Sequence, residues 1–369
     1  MKRFLALLFC ALKAKKKFSI SKKKYIIFDC VNSEILSKIL PKNETYIISA
    51  RINKIKIILF NSATIFFLIK NIFKRSITVN YFISLINQIN PKFVITTIDN
   101  SATFSILTKY FENKIKFIAI QNGTRGQIFD DINNHNKIFY FTDYMGLGDF
   151  DLELMKKKKI KVKNYFPIGS LKNSYYKNFI STKKNEIKKK YDICFIGKTI
   201  FRDNNFLPSK RAESTLKLIN LLSIYVKKYN KSIVIQSKSK FNVKEKKLYD
   251  SLFNKTNYKI SWFDPKNFTS YKNVSDSSLI VGAPSTLLRE ASINPNTKIL
   301  CFDVEKSGRH PFSGVNYINT ISYKNFETKL NLLLKMKYNN YIRKLNYSLN
   351  YVMQKTDTIK SLLKFLNNN

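Results

Sequence analysis

The chain has 369 residues, enough for two packed domains, and 44% hydrophobic with 14% aromatic content excludes wholesale disorder. Lys+Arg 66 against Asp+Glu 24 gives a net charge of +42. Three sources compete for that charge: AT-rich coding, attraction to an anionic membrane and nucleic-acid binding, ranked in that order, because lysine outnumbers arginine and the basic runs are dispersed.

In chain order, MKRFLALLFCALKAKKK comes first. Its apolar run Phe4–Leu12 is too short to span a bilayer, so residues 1–23 read as a short basic helix. Such a helix suits a membrane surface or its own domain equally. Compact apolar runs follow at 25–30, 45–50, 54–60, 92–99, 116–121, 137–142 and 164–170, and read as buried strands. Helical spacing lies between them at 35–40, 62–74, 79–89 and 104–111, with a further helix ending near Met155–Lys159. A lysine-rich stretch, 172–190, reads as a linker. The alternation then restarts with YDICFIG at 191–197, a helix at 212–228, SIVIQS at 232–237, a helix near 244–252 and YKISWF at 258–263. SSLIVG at 277–282, a helix at 285–293 and KILCFD at 298–303 complete it, and the end of the chain is helical.

Short apolar strands alternating with helices signal parallel sheets covered on both faces. The expected fold class is α/β, with two Rossmann-like domains facing a central cleft and a C-terminal helical tail. The boundaries are 1–171 for the first domain, 172–190 for the linker, 191–335 for the second domain and 336–369 for the tail. In such sheets ligands bind beyond the carboxyl ends of the strands, so the strand-end loops are the candidate sites.

The four cysteines, Cys10, Cys30, Cys194 and Cys301, are far apart, which suggests neither a disulfide framework nor a zinc site and fits a reducing cytoplasm. GKT at 197–199 lacks the glycine that a phosphate-binding P-loop places five residues earlier, where Asp192 stands. Gly197 reads instead as a tight turn that brings Lys198 and Arg202 towards substrate.

In TTIDNSATFS (96–105), Asn100 or Ser101 can cap the next helix, and Asp99 can serve as a general base. In FIAIQNGTRG (117–126), Gln121 and Asn122 offer directional amides, Gly123 and Gly126 allow close approach to a ligand, and Arg125 can pair with phosphate or carboxylate. In VGAPSTLLREAS (281–292), Ser285 and Thr286 open a helix where an anion can sit, and Glu290 can accept from ribose or sugar hydroxyls. The alternative is simple N-capping by Ser285. His135 reads as a loop residue. Arg309 and His310, just after KILCFD, are candidates for a donor phosphate, with a surface turn as the alternative.

ITTIDNSATFS, FIAIQNGTRG, PIGS and APSTLLREA together resemble bacterial surface-carbohydrate biosynthesis proteins of O-antigen and capsule pathways, glycosyltransferases of the GT-B fold. The resemblance covers roughly residues 24 to 330. It implies that Ser285 and Thr286 contact a donor diphosphate and Glu290 the ribose or sugar, with Gln121, Asn122 and Arg125 facing the reacting centre. Related polymer transferases carry histidine where Asn122 stands, and asparagine cannot take a proton; an inverting enzyme would then draw its base from elsewhere, with Asp99 the candidate, and the alternatives are a retaining transferase or one that has lost activity.

No metal is expected, and no cofactor beyond the nucleotide-sugar donor. A lipid-linked or saccharide acceptor at the inner face of the cytoplasmic membrane would fit the charge. Arg125→Ala would then abolish activity and leave folding intact. The rivals are a CDP-linked polyol-phosphate transferase, a nucleotide-sugar 2-epimerase on the same fold and, outside enzymes, a basic nucleic-acid-binding protein.

Overall fold

A computed structural model describes residues 13–51, 55, 57–125, 139–180, 189–202, 205–207, 209–305 and 310–369. The apolar run Phe4–Leu12, together with Gly126, His135 and Arg309, lies outside the described residues. The chain divides into two compact units. The first comprises 1–147, 151–172 and 359–369; the second comprises 148–150 and 173–358.

The first unit is built on strands β2 (Tyr25–Phe28), β3 (Thr45–Ile48), β5 (Phe93–Thr96), β6 (Lys116–Ile120), β7 (Tyr140–Gly146) and β8 (Lys161–Pro167). They form one sheet in the order β3-β2-β5-β6-β7-β8, with every neighbouring pair parallel. Sheet order steps one way from β2 to β3 and the other way from β2 to β5, so the switch point lies between β2 and β5.

Two segments depart from the reading of the sequence. The run at 54–60 does form a strand, β4 (Ile57–Leu59), but it pairs outside the main sheet with β1 (Lys15–Lys17). Lys15–Lys17, expected in a basic helix, is therefore extended, because parallel pairing with β4 supplies the backbone hydrogen bonds that a helix would have made internally.

The helices of this unit are α1 (Glu34–Ile39), α2 (Ser62–Lys70), α3 (Ile77–Ile89), α4 (Ala102–Phe111) and α5 (Asp149–Lys157), the last of which begins in the second unit. Their starts are written locally: Asn61, Ser76 and Ser101 each accept a backbone N–H from the first turn. α3 stops at Asn90, whose φ of 49° is left-handed. Asparagine fills that role repeatedly in a chain with only 9 glycines. Phe28 packs on Phe82 and Phe104, and Phe104 on Phe117, with ring centroids 5.3, 5.6 and 5.4 Å apart. One edge-on and two tilted pairs thus tie α3 to β2, and α4 to β2 and β6.

The second unit is built on β9 (Tyr191–Ile196), β12 (Ile233–Gln236), β13 (Tyr258–Ser261), β14 (Ser277–Gly282), β15 (Lys298–Phe302) and β16 (Tyr317–Ile318), with a small antiparallel hairpin of β10 (Phe201–Arg202) and β11 (Asn205–Phe206). The sheet order is β13-β12-β9-β14-β15-β16, all parallel, which is the doubly wound 3-2-1-4-5-6 order with its switch point between β9 and β14. Its longer helices are α6 (Lys210–Tyr229), α7 (Val243–Phe253), α8 (Thr269–Ser275), α9 (Thr286–Ser292) and α10 (Tyr323–Lys335), with short ones at Tyr338–Arg343 and Leu349–Val352. The core gathers Ile193, Phe195, Tyr225, Ile235, Leu300 and Phe326 around β9 and α6.

The final helix, α11 (Thr358–Asn368), returns to the first unit, where Phe365 meets Phe166 edge-on at 5.1 Å. Two Rossmann-like units on parallel six-stranded sheets are thus the architecture expected from the strand–helix alternation.

Candidate functional site

The first unit concentrates polar groups at the carboxyl ends of its strands. A recess there is lined by Asn32 and Ile35 after β2, Thr97 after β5, Gln121 and Asn122 after β6, and Ser170 with Lys172 after β8. β5 ends in two threonines that turn their hydroxyls inward. Thr96 donates to the carbonyl of Phe28 at 2.7 Å and Thr97 to that of Asn32 at 3.1 Å. These bonds stitch the loops on either side of the switch point. Ser101, not Asn100, caps α4, and Asn100 is exposed.

Asp99 is buried, with its carboxylate fully engaged. Arg125 Nε lies 2.9 and 2.8 Å from its two oxygens, Nη2 of the same arginine also donates to it, and the Tyr144 hydroxyl donates at 2.7 Å. Burial alone would lower the Arg125 pKa, but the charge and hydrogen bonds of Asp99 raise it above its ordinary value. Arg125 therefore stays a cation, and its Nη2 also donates to Asn122 Oδ1.

Gln121 is equally committed. Its Nε2 donates to Asp151 at 2.7 Å and to the Gly123 carbonyl at 3.0 Å, while its Oε1 accepts from Leu147 N–H at 3.0 Å. The described part of the QNGTRG tip is thus braced from inside: Gln121 and Arg125 hold the loop, and half-exposed Asn122 lines the recess beside buried Gln121.

Sequence reasoning missed the β2–α1 loop. Asp29 and Asn32 both hold left-handed backbone, at φ 80° and 58°. Asp29 accepts from Val31 N–H at 3.0 Å and from Arg51 at 3.0 Å. Non-glycine residues at positive φ carry strain that the surroundings must hold, and such positions gather at functional sites. The signal was an Asp and an Asn, the residues that best tolerate that region, within four positions after a buried strand. Gly169 of PIGS, at φ 86°, presents Ser170 to the same recess.

In the second unit, Gly197 and Gly282 end β9 and β14 on either side of the switch point. A Cβ on Gly197 would meet the Gln236 carbonyl at 3.2 Å, and one on Gly282 would meet Ile196 at 3.1 Å, so the two loops need glycine to leave the sheet this closely. Lys198 then reaches the Pro284 carbonyl at 2.7 Å, which brings it beside Ser285 and Thr286. Ser285 caps α9 by accepting from Leu288 N–H at 3.2 Å, and Thr286 is the helix's first residue.

Glu290 is buried on α9 and accepts from the Tyr271 hydroxyl at 3.0 Å. His310 is buried too, and is not a surface turn. Its Nδ1 accepts from Phe312 N–H at 3.2 Å, so Nε2 carries the proton that bonds Asp303 at 2.8 Å. Arg202 contributes main chain to β10; its side chain, like Arg309, lies outside what is described.

Burial first, and the neighbouring carboxylates second, push the phenols of Tyr144 and Tyr271 well above the usual 10.0. The fold therefore keeps protons that the unfolded chain releases near pH 10.0. The stabilisation is fully present below that pH and is lost as pH rises above it. We expect unfolding free energy to fall in that alkaline range, with the last rise of tyrosinate absorbance coinciding with loss of helical circular dichroism. Complete tyrosine titration before unfolding would contradict this burial.

No known family model matches the sequence, and no curated protein matches it. Solved structures do match in shape. A UDP-GlcNAc 2-epimerase from Neisseria meningitidis bound to UDP-GlcNAc aligns over 95% of this chain and 100% of its own, with TM-score 0.53 and 15% identity. The UDP co-structure of S. aureus MnaA aligns over 94% of this chain and 97% of its own, with TM-score 0.55 and 12% identity. The UDP-N-acetylglucosamine 2-epimerase from Rickettsia bellii aligns over 94% and 96%, with TM-score 0.53 and 16% identity. At such identities the likeness is one of fold, and the fold is that of the GT-B class.

Proposed function

We propose that this protein is a nucleotide-sugar enzyme of surface-glycan synthesis that transfers a sugar to a hydroxyl of a lipid-linked or saccharide acceptor, without a metal. The observation that carries the reading is the make-up of the first unit's recess. Among the described residues it is lined by amides, hydroxyls, apolar side chains and Lys172, with no carboxylate or imidazole. Thr97 and Gln121 are buried and engaged within the unit, and the half-exposed amides of Asn32 and Asn122 with exposed Lys172 are the groups suited to saccharide hydroxyls. In the second unit, Lys198 supplies positive charge for a leaving nucleotide diphosphate, and Ser285 and Thr286 supply hydroxyls beside it. Glu290, oriented by Tyr271, accepts from ribose or sugar hydroxyls.

Asp99 acts here as a positioning residue. Its carboxylate holds Arg125, and Arg125 in turn orients Asn122 at the recess. This replaces the role of general base, because both carboxylate oxygens already accept from Arg125 and Tyr144.

A second reading, epimerisation at C2 of the sugar, is favoured by the fold shared with UDP-GlcNAc 2-epimerases. It would require groups that remove and return a carbon-bound proton. His310 is held between Asp303 and Phe312, and the recess offers amides and hydroxyls instead.

The test is thermal melting against UDP, CDP, CMP, GDP and dTDP with their sugars, because a ligand that binds only the native state raises Tm. One nucleotide is expected to raise it, and Glu290→Ala to remove the rise. The matching nucleotide-sugar is then followed by NMR. Release of nucleotide with sugar on an acceptor supports transfer; a C2 epimer with the nucleotide still attached identifies the epimerase. Failure of every nucleotide to shift Tm would sink both readings.

A further inference from the structure

Helix α2 leaves much of its apolar surface in solvent. It turns Thr64 inward, with Phe67 and Leu68 half-buried beside it. Thr64 is buried and accepts from Gln88 Nε2 at 2.9 Å, and Asn61 donates to Gln88 Oε1 at 2.7 Å. Two turns beyond Thr64, the main-chain carbonyl of buried Asn71 accepts from Asn80 Nδ2 at 2.6 Å. Three large apolar side chains face outward: Phe66 is 68% exposed, Ile69 68%, and Phe73, just past the helix, 100%.

A helix that only needed to cover α3 would bury Phe66 and Ile69 and leave Thr64 to water. The opposite choice costs apolar hydration at every outward position and leaves an apolar patch of the kind that marks an interaction surface.

What fits the patch is set by its charge. Lys70, Lys74 and Arg75 are exposed along the same stretch. The exposed strand Lys15–Lys17 pairs with β4, and its last carbonyl accepts from Phe60 N–H directly before Asn61 caps α2. The apolar face is therefore bordered by cations at both ends. A second copy of this chain would place those cations against their own counterparts, which is repulsive in an isologous contact. An anionic lipid surface satisfies both features, taking the phenylalanines at the headgroup boundary and pairing the lysines with phosphates. No helix among the described residues is long and apolar enough to cross a membrane, so such contact would be at the surface.

We propose that α2 and the β1–β4 ribbon form a docking surface for an anionic lipid bilayer. The proposal rests on this exposed face and not on the nucleotide-sugar reading, so its assay contains no substrate and the two can fail separately.

The full chain is sedimented with vesicles of phosphatidylcholine alone or of equimolar phosphatidylcholine and phosphatidylglycerol. It is expected to pellet with the anionic vesicles and to stay in solution with the neutral ones. Phe66→Glu with Phe73→Glu, and separately Lys70→Glu with Lys74→Glu, are each expected to weaken binding about tenfold or more. Since these side chains project outward, circular dichroism and Tm should remain those of the parent. The proposal is overturned if the full chain pellets with neither vesicle. It is equally overturned if the phenylalanine variant binds as the parent does, or if that variant instead abolishes a concentration-dependent dimer seen without lipid.

Discussion

Arg125→Ala is expected to destabilise the first unit by about 3–5 kcal/mol, the cost typical of removing one partner from a buried ion pair. The Asp99 side chain is fully buried, and Arg125 is its cation. Without the guanidinium, the carboxylate keeps only the Tyr144 hydroxyl among the partners described above and is left buried without its counter-ion. Whole domains are stable by only about 5–15 kcal/mol, so a large share would be lost. This revises the expectation that the substitution spares folding.

Urea titration and Tm measure the effect. The double variant Asp99→Asn with Arg125→Met removes both charges and should recover part of the loss, since deleting both partners of a buried pair costs less than stranding one. An Arg125→Ala protein that melts with the parent would show that the pair contributes nothing to the fold and return the arginine to a purely ligand-facing role.

Arg289→Ala is expected to cost a similar amount, about 3–5 kcal/mol, and to remove any nucleotide-induced rise in Tm. Arg289 is completely buried. Its Nε and Nη2 donate to the Val352 carbonyl at 3.1 and 2.5 Å, and its guanidinium lies 5.6 Å from the Phe150 ring centroid. Truncation leaves a cavity, an unpaired carbonyl and a short helix without its anchor. That helix, α9, carries Thr286 and Glu290, so their positions depend on it.

Arg289→Met keeps most of the volume and should cost only about 1–3 kcal/mol, the share of the lost hydrogen bonds. Equal losses in the two variants would show that packing contributes nothing beyond the hydrogen bonds. An unchanged Tm for Arg289→Ala would show that α9 is held by other contacts.

Much of this molecule was decided by local pattern. Four- to seven-residue apolar runs became the parallel strands, since a strand buried on both faces needs no partner information to be recognised. Ser76, Ser101, Ser209 and Ser285 start helices where a side-chain oxygen meets a free backbone N–H, an interaction spanning three residues. Gly197 was legible as a turn, whereas the close approach that requires glycine at 197 and 282 is made by Gln236 and Ile196, brought there only by the sheet.

The fold class and the strand-end loops were therefore legible in the residues themselves. The partners of those loops were not. Arg125 as a free anion reader and Arg125 as the cation of Asp99 are the same three letters, and 26 residues separate the pair. Helical periodicity showed that residues 62–74 would coil, yet which face of α2 meets α3 depends on Gln88 and Asn80 across a tertiary contact. Lys15–Lys17 became a strand only because β4 was there to pair with it. Local sequence specifies elements because their hydrogen bonds and caps close within a few residues. Burial of charge, the facing of a helix and the pairing of an edge are decided by groups brought together only on folding.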